Sequence, residues 1–254
     1  MASAKQKIIE SLLVQKELYG DELFRTTLIA SSPAIEKKEI SPKATKKISP
    51  PSKVSEPDPI QLLEDSNDAT GKLAQFYKEI CECMECPLGK TRNKFVYGVG
   101  NPNAKVMLVG EGPGADEDAQ GIPFVGRAGQ LLTKILEAIS FKREEVYIAN
   151  IVKCRPPGNR TPNPVEIETC IPYLYKQIEI IQPKLILCLG TTAAVSLLKR
   201  KESLGAMRNK VHQIGDIKAV VTYHPAALLR NPNWKKDCWA DVQFFRKLYD
   251  EMYA

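Results

Sequence analysis

Four short apolar runs recur along the chain between residues 105 and 222. They occupy Lys105–Val109 (KVMLV), Val146–Ile151 (VYIANI), Leu185–Leu189 (LILCL) and Ala219–Thr222 (AVVT). Runs of this length, without regular polar alternation, are typical of strands buried on both faces of a parallel sheet. The pattern therefore predicts four buried strands.

The intervals between the runs carry the periodicity of helices. From Ala128 to Ile139, apolar residues recur every three or four positions and define one buried face. Another helix is expected to begin after Asn163, which can cap it, because Pro164 suits the first turn and Glu166 completes a capping box. Two further helices are predicted at Thr191–Leu198 and from about Trp234 to Met252.

Strands that alternate with helices predict a three-layer α/β/α fold with a central, mostly parallel four-stranded sheet. In this architecture ligands bind beyond the carboxyl ends of the strands. The glycine-rich loop after Val109, Cys154 and His224 all follow such strand ends. A functional site is therefore expected at this edge of the sheet.

The first 65 residues follow a different pattern. Between Lys5 and Phe24 the apolar residues fit an amphipathic helix that Gly20 weakens, so a helix is predicted within residues 1–24. Residues 25–65 are rich in Ser, Pro and Lys, and they bury too little apolar surface to offset the entropy of ordering. We predict a disordered linker there and a folded domain over residues 66–254.

Composition places the chain among ordinary globular proteins. Of its 254 residues 43% are hydrophobic and 26% are charged, and the net charge of +6 permits a polyanionic partner without requiring one. The N-terminus lacks the apolar core of a signal peptide, and no stretch approaches the roughly 18 apolar residues of a membrane span. We expect a cytoplasmic protein without membrane contact, in which cysteines more often bind metal than form disulfides.

The first predicted strand leads into the segment VGEGPGADEDAQGIPFVGRAG. Gly110, Gly112 and Ala115 fit the G-x-G-x-x-G/A fingerprint of dinucleotide-binding folds, a pattern that is weak by itself. The fingerprint also requires a second strand that ends in an acid about 20 residues further on, where a helix is predicted instead. The acids at 111 and 116–118 would also repel a pyrophosphate. The loop is expected to hold a different ligand, unless it is a purely structural turn.

Four cysteines have the spacing of a metal site. Cys83 and Cys86 form a C-x-x-C pair, Cys154 lies at a strand end, and Cys170 follows sixteen residues later in a predicted helix. Four thiolates from three segments suit either a tetrahedral zinc ion or an iron–sulfur cluster, and spacing does not distinguish them. Cys81 is an alternative first ligand. The cysteines expected in the core are Cys188 and Cys238.

The segment YHPAALLRNP begins directly after the last predicted strand. It contains His224, one of only two histidines, for which a catalytic role and a structural role are both open at this point. Leu228 and Leu229 beside Arg230 would be unusual on a free surface, so they indicate contact with a partner.

Taken together, four segments of the chain resemble the family 4 uracil-DNA glycosylases, the iron–sulfur type found in bacteria and archaea. The segments are CMECPLGKTRNKFVYGVG, VGEGPGADEDAQGIPFVGRAGQLL, YIANIVKCRPPGNRTPNPVEIETC and YHPAALLRNP. They occur in the family's order and spacing over about residues 75–250, so the match is specific. Residues 1–65 lie outside it.

The resemblance implies a base excision repair enzyme that flips uracil out of single- or double-stranded DNA and hydrolyses its N-glycosidic bond. It would leave an abasic site, and we expect no lyase activity. We also expect a monomer, whose N-terminal tail is a candidate for binding a replication or repair partner. Two rival hypotheses are an iron–sulfur protein that only binds nucleic acid, such as a polymerase-associated module, and a nucleotide-cofactor oxidoreductase.

The resemblance also implies roles for single residues. It implies that four cysteines are the ligands of a structural 4Fe-4S cluster, with Cys83 preferred to Cys81. They are Cys83, Cys86, Cys154 and Cys170. It also implies the residues of the base pocket. Gly110 and Gly112 lie in its loop, and Glu117 lies at the C5 edge of the base. Phe124 would stack on uracil, and Asn150 would recognise it by hydrogen bonds.

The resemblance places catalysis on three residues. Glu111 and Asn159 would position the attacking water, and His224 would face a uracil carbonyl. Leu228 or Leu229 would fill the space that the base leaves in the DNA, with Arg230 near the phosphate backbone.

Overall fold

The computed structural model describes residues 68–254. Within this range six strands form one sheet. They are β1 (Val99–Gly100), β2 (Val106–Gly110), β3 (Tyr147–Asn150), β4 (Leu185–Leu189), β5 (His212–Ile214) and β6 (Ile217–Thr222). The four predicted strands correspond to β2, β3, β4 and β6, because their continuous apolar runs are buried on both faces.

The strand order is β1-β3-β2-β4-β6-β5. The four central strands are parallel, and their last residues align, since Gly110 pairs with Asn150 and Leu189 with Thr222. The two outer strands, β1 and β5, are antiparallel to their neighbours. The predicted parallel four-stranded sheet is thus confirmed as the centre of a six-stranded sheet. The edge strands, of two and three residues, are too short to show a pattern.

Eight α-helices are present in the described part of the chain. They are α1 (Ala69–Ile80), α2 (Ala115–Gln120), α3 (Arg127–Ala138), α4 (Pro164–Ile181), α5 (Thr191–Leu198), α6 (Leu204–Met207), α7 (Pro225–Arg230) and α8 (Lys235–Tyr253). The predicted capping box at the start of α4 is confirmed: the Asn163 side chain accepts from the Glu166 amide, and the Glu166 carboxylate accepts from the Asn163 amide.

The helices cover both faces of the sheet. On one face α1, α4 and α5 pack against alternate strand residues such as Met107 and Val109, and on the other α3 and α8 pack against Val106 and Leu108. This arrangement confirms the predicted three layers. The predicted core cysteines are also buried. They are Cys188 in β4 and Cys238 in α8.

The predicted helix of residues 1–24 and the predicted linker of residues 25–65 lie outside the described residues, and so does any binding segment in the tail. Among residues 68–254, the helices are all too short or too polar to span a bilayer.

A candidate active site at the carboxyl ends of the parallel strands

A cleft of about 850 Å³ opens where the four parallel strands end. Each strand sends at least one polar side chain to its wall. Glu111 follows β2, Asn150 ends β3, Thr192 lies in the first turn after β4, and His224 follows β6. Because the strand ends are aligned, residues far apart in the sequence meet in one place, as the α/β pattern predicts.

Gly110 leaves space for two side chains at the bottom of the cleft. A Cβ atom at this position would lie 2.5 Å from Asn150 Oδ1 and 2.6 Å from Phe124 Cζ, distances that no real side chain adopts. Phe124 is buried and has a left-handed backbone with φ of 54°, a conformation that is unusual for an aromatic residue. The missing side chain of Gly110 therefore lets an aromatic ring and an amide share one corner of the cleft.

The amide oxygen of Asn150 is buried and has no hydrogen-bond partner among the described residues. Buried polar atoms are almost always paired, since an unpaired one costs about 1–3 kcal/mol. Asn150 also lines the cleft. An unpaired buried acceptor at the wall of a cavity indicates that a ligand donates a hydrogen bond to it.

His224 is held in one orientation at the start of α7. Its Nδ1 accepts a hydrogen bond from the backbone amide of Ala226 at 3.2 Å, so the proton of the neutral ring is on Nε2. Burial and, to a smaller extent, the positive charge of Arg230 lower the pKa of His224 to about 4. The imidazole lies 5.5 Å from the Phe124 ring, centroid to centroid. It is therefore a neutral donor beside the aromatic floor of the cleft.

Glu111 and Asn159 lie on the same cleft but on different loops. The Glu111 carboxylate accepts a hydrogen bond from the Thr192 hydroxyl at the start of α5. The Asn159 amide oxygen accepts from Arg155 Nε at 2.7 Å, and its backbone is left-handed with φ of 56°, which asparagine tolerates well. Both side chains are thus oriented by a neighbour.

Glu117 is fixed more firmly than any other acid of the cleft. Its carboxylate accepts hydrogen bonds of 3.0 Å from the backbone amides of Gly114, Val125 and Gly126. These bonds tie the first turn of α2 to the segment that carries Phe124. Glu117 therefore lines the cleft as a rigid wall and also sets the position of the aromatic floor.

An ion pair holds the Asn159 loop on α4. Both Arg160 guanidinium nitrogens donate to the buried carboxylate of Glu166, at 2.6 and 2.8 Å. The Arg160 hydrogen bonds are the main cause that lowers the pKa of Glu166, so this pair is charged at neutral pH. The loop beside the cleft is therefore clamped to the helix that carries Cys170.

The two leucines of YHPAALLRNP have different environments. Leu228 is 1% exposed and packs into the core beneath α7, whereas Leu229 is 38% exposed. Of the two predicted wedge residues, α7 therefore turns Leu229 outward and Leu228 towards the core. Arg230 is exposed and lines the cleft beside them.

The four predicted cysteine ligands lie in one neighbourhood, although they come from three segments. Burial raises the pKa of Cys154, with nearby Arg92 lowering it and the thiols of Cys86 and Cys83 raising it again. Burial likewise raises the pKa of Cys170 to about 12, and Cys154 and Cys86 contribute to the increase. The same neighbourhood is seen in the packing, because Cys154 and Cys170 belong to one core cluster against which Cys83 and Cys86 pack.

Three hydrogen-bond donors point at these sulfur atoms. Arg92 Nη1 lies 3.4 Å from Cys154 Sγ, the Lys153 amide 3.3 Å from Cys170 Sγ, and the Tyr173 hydroxyl 3.2 Å from Cys83 Sγ. Donors of this kind stabilise metal-bound thiolates. The Cys81 thiol instead donates to the carbonyl of Lys78 in α1.

Within residues 68–254, three or more His, Cys, Asp or Glu side chains nowhere converge tightly enough to hold a metal ion.

Several residues of the cleft were not predicted from the sequence. Thr192 is a small polar residue in a helix start, which carries no specific signal. Tyr223 and Trp234 stack on each other at the rim, although eleven positions separate them. Only the adjacency of Tyr223 to His224 in the sequence could have drawn attention to it.

The folded domain matches the family model of the uracil DNA glycosylase superfamily over residues 97–248. This match, together with the three-layer fold and the cleft, defines the class of protein. The chain is 42% identical to a type-4 uracil-DNA glycosylase of Archaeoglobus fulgidus, over 67% of this chain and 90% of that protein. It is 46% identical to the type-4 enzyme of Pyrobaculum aerophilum, over 68% of this chain and 92% of that protein.

A bacterial relative shows the same likeness. The chain is 47% identical to the type-4 uracil-DNA glycosylase of Thermotoga maritima, over 61% of this chain and 81% of that protein. The chain therefore belongs to the type-4 uracil-DNA glycosylases.

Proposed function

We propose that this protein removes uracil from DNA by hydrolysing the N-glycosidic bond, which starts base excision repair. The observation that carries the proposal is the unpaired, buried amide oxygen of Asn150 at the wall of the cleft. A base inside a duplex lies beyond reach of this atom, so the nucleotide has to leave the stack and enter the cleft.

Uracil matches the hydrogen-bonding groups of the cleft. Its N3–H can donate to Asn150 Oδ1 while its O4 accepts from Asn150 Nδ2, and its ring can stack on Phe124. Cytosine presents an acceptor at N3 and a donor at N4, so it would leave both atoms of the amide unpaired. Discrimination between the two bases therefore follows from one side chain.

Thymine differs from uracil by the methyl group at C5, so its rejection needs a steric barrier. We assign this role to Glu117, which lines the cleft and is fixed by three backbone amides. A rigid wall does not move aside for a methyl group. The same bonds keep Phe124 in place, so the wall and the floor form one unit.

Cleavage of the bond leaves negative charge on uracil and positive charge on the sugar. Nε2–H of His224 can donate to uracil O2 and stabilise the leaving anion, as an oxyanion hole does. The low pKa of His224 suits this role, because a neutral donor is present at physiological pH.

Water completes the reaction by adding hydroxide to C1′ of the sugar. We assign Glu111 to accept the water's proton and Asn159 to orient the water, since both line the cleft. The Thr192 hydroxyl orients the Glu111 carboxylate, whose charge also favours the cationic sugar. The uracil anion then takes a proton from solvent, and Glu111 releases its proton to solvent.

Contacts with the DNA strand are assigned to the rim of the cleft. Arg230 is exposed there and can bind a phosphate without reading the sequence. Leu229 is exposed on the same helix and can occupy the space that uracil leaves in the duplex. Leu228 is excluded from this role by its burial.

We further propose that the enzyme is monofunctional and acts as a monomer. A lyase step needs an amine that forms a Schiff base with the sugar, and the described residues that line the cleft include no lysine. All side chains assigned to catalysis come from one chain, so a single copy suffices.

We propose that Cys83, Cys86, Cys154 and Cys170 hold a 4Fe-4S cluster. The three hydrogen-bond donors aimed at sulfur atoms of this set support a group that is bound through thiolates. When bound, the cluster would link the segment after α1, the loop after β3 and α4. Its role is to fix these segments beside the cleft.

The activity is tested with a labelled oligonucleotide that contains one uracil. Incubation with the protein followed by alkali should cut the strand at uracil and leave matched cytosine and thymine oligonucleotides intact. Asn150→Ala should lose cleavage, whereas Asn103→Ala, an exposed asparagine at the opposite edge of the sheet, should retain it. Binding of uracil DNA without cleavage by the unmodified protein would support the rival nucleic-acid-binding module.

The cluster is tested by analysis of iron and acid-labile sulfide in the purified protein. Cys83→Ser should lower both contents together with the visible absorbance, and Cys81→Ser should leave all three unchanged. Zinc in place of iron, or equal losses in the two variants, would contradict the ligand assignment.

A further inference from the structure

A stack of planar groups lies at the rim of the cleft. The indole of Trp234 stacks on the Tyr223 ring, with centroids 5.1 Å apart and planes 14° apart. The guanidinium of Arg208 also contacts the Tyr223 ring, 4.5 Å from its centroid, and donates to the Tyr223 hydroxyl at 3.2 Å. Tyr223 is therefore held between a cation and a second aromatic residue.

The stack is anchored in the core by a buried ion pair. Arg208 Nε and Nη2 donate to the Asp241 carboxylate at 2.6 and 3.2 Å, and Asp241 is 0% exposed. The Thr222 hydroxyl donates to the same carboxylate at 2.8 Å. Since each member is bonded to the next, Trp234 rests on a surface that is rigid before any ligand arrives.

Trp234 has a free surface in the direction of the cleft. It is 39% exposed, although one face of its indole is covered by Tyr223, and it lines the same cleft as His224 and Arg230. None of the groups assigned to uracil recognition or catalysis uses it. A large exposed aromatic surface costs solubility, so its position beside a cationic rim calls for a ligand with a flat apolar face.

We propose that Trp234 is a second nucleotide subsite, on which a base next to the extruded uracil in the same strand stacks. The inference rests on the proposed function, because the neighbouring base is brought to the rim only when uracil occupies the cleft. Stacking is insensitive to sequence, since every base has a flat face. Arg230 is exposed and lines the same cleft as Trp234, so it supplies positive charge for the phosphates.

The subsite has a consequence for the choice of strand. In a duplex the neighbouring base is already paired and stacked, so it gains little from a second partner. In single-stranded DNA it is free to stack on the indole. The subsite therefore favours single-stranded DNA, or uracil near a strand end or a mismatch.

The test measures binding of a single-stranded oligonucleotide that contains 2′-fluorodeoxyuridine, whose glycosidic bond resists cleavage. Trp234→Ala should weaken binding by about 5- to 100-fold, the range for loss of one base–aromatic stack. Replacing the bases that flank uracil with abasic sites should weaken binding to the unmodified protein similarly, and should have little further effect on Trp234→Ala. Trp234→Phe should retain most of the affinity.

Tyr253→Ala provides the matched control, because Tyr253 has a similar exposure at the far end of α8. A direct readout comes from fluorescence, since the chain has only two tryptophans. In a Trp239→Phe background the emission of Trp234 should be quenched by the normal oligonucleotide and much less by the one with abasic flanks.

The outcomes separate this inference from the proposed function. Uracil excision by the unmodified protein, together with equal affinities of Trp234→Ala and the unmodified protein, would overturn the subsite alone. Equal losses of Trp234→Ala on normal and abasic-flanked oligonucleotides would also overturn it, because they indicate a purely structural role. Absence of uracil excision by the unmodified protein would overturn the proposed function itself.

Discussion

The ammonium group of Lys153 donates a hydrogen bond to the backbone carbonyl of Asn150, 3.1 Å away. The same ammonium donates to Gln177 of α4 at 2.6 Å, and the backbone amide of Lys153 donates to Cys170 Sγ. Lys153 is fully buried. One residue thus joins the end of β3, where Asn150 lines the cleft, to the helix that carries Cys170.

We expect Lys153→Met to lower both stability and activity. The variant keeps the length of the side chain but leaves the Asn150 carbonyl and the Gln177 oxygen without their donor, at a cost of about 1–3 kcal/mol in the free energy of unfolding. Chemical denaturation measures this loss, and the KM for uracil DNA should rise. Lys184→Met, at an exposed lysine, is the control. A more stable Lys153→Met would mean that desolvation of the ammonium outweighs its bonds.

Gly110→Ala should slow excision about 100-fold while leaving the fold intact. The added methyl group would displace the Asn150 amide and the Phe124 ring, and displacements of this size at reacting groups cost about 100-fold in rate. Single-turnover excision measures the effect, and circular dichroism checks the fold. Gly205→Ala adds a methyl group to open space in α6 and should change neither quantity. Normal excision by Gly110→Ala would show that the corner is not used.

His224 should make stability depend on pH in a defined direction. Its pKa is about 4 in the folded protein and about 6.5 in an unfolded chain, so below pH 6.5 the unfolded state binds the proton first. Stability from this residue is complete above pH 6.5 and falls as the pH drops towards 4. Between pH 7 and pH 5 the unmodified protein should lose about 2 kcal/mol more than His224→Gln.

The same titration makes a prediction about catalysis. Since the imidazole stays neutral down to about pH 4, excision should show no inflection near pH 6.5. His224→Ala should lower the single-turnover rate by about 100- to 1000-fold, as loss of one oxyanion donor does. An imidazole that titrates near 6.5 by NMR would contradict both expectations.

Substitutions of the two leucines of α7 should have different effects, one on stability and the other on contact with the DNA strand. Leu228→Ala removes a buried side chain and should lower the free energy of unfolding by about 2–5 kcal/mol. Leu229→Ala should leave stability within about 0.5 kcal/mol and slow excision from duplex DNA more than from single strands. Denaturation and paired excision assays distinguish them. Equal effects of the Leu229 variant on both substrates would argue against a wedge.

The predicted elements show where sequence patterns are informative. β4 and α5 have the predicted bounds. A strand buried on both faces is a continuous run of apolar residues, whereas the apolar residues of a packed helix recur every three or four positions. β1 and β5 escaped prediction because they form at the sheet edges through pairing with longer neighbours. The sequence left Leu228 and Leu229 equivalent, because a six-residue helix does not reveal from its sequence which side faces the core.

The site was predicted less evenly than the fold. Glu111, Asn150 and His224 follow strand ends, so topology alone brings them to one edge. The stack of Tyr223 and Trp234 depends on the path of the chain between β6 and α8, which no local pattern encodes. The hydrogen bonds from three backbone amides to Glu117 could not be predicted either, because every residue except proline has a backbone amide and the sequence does not show which ones point at a carboxylate.

The four parallel strands end at the same level, so the loops that follow them can each contribute a different function to one cleft. Water activation, base reading, strand contact and cluster binding are assigned to different loops, and each loop is rooted in its own strand or helix. A change in one loop can therefore alter the preferred base or the preferred form of DNA while the other loops keep their geometry. In this architecture, substitutions in one loop can change which base is accepted while the residues assigned to hydrolysis stay the same.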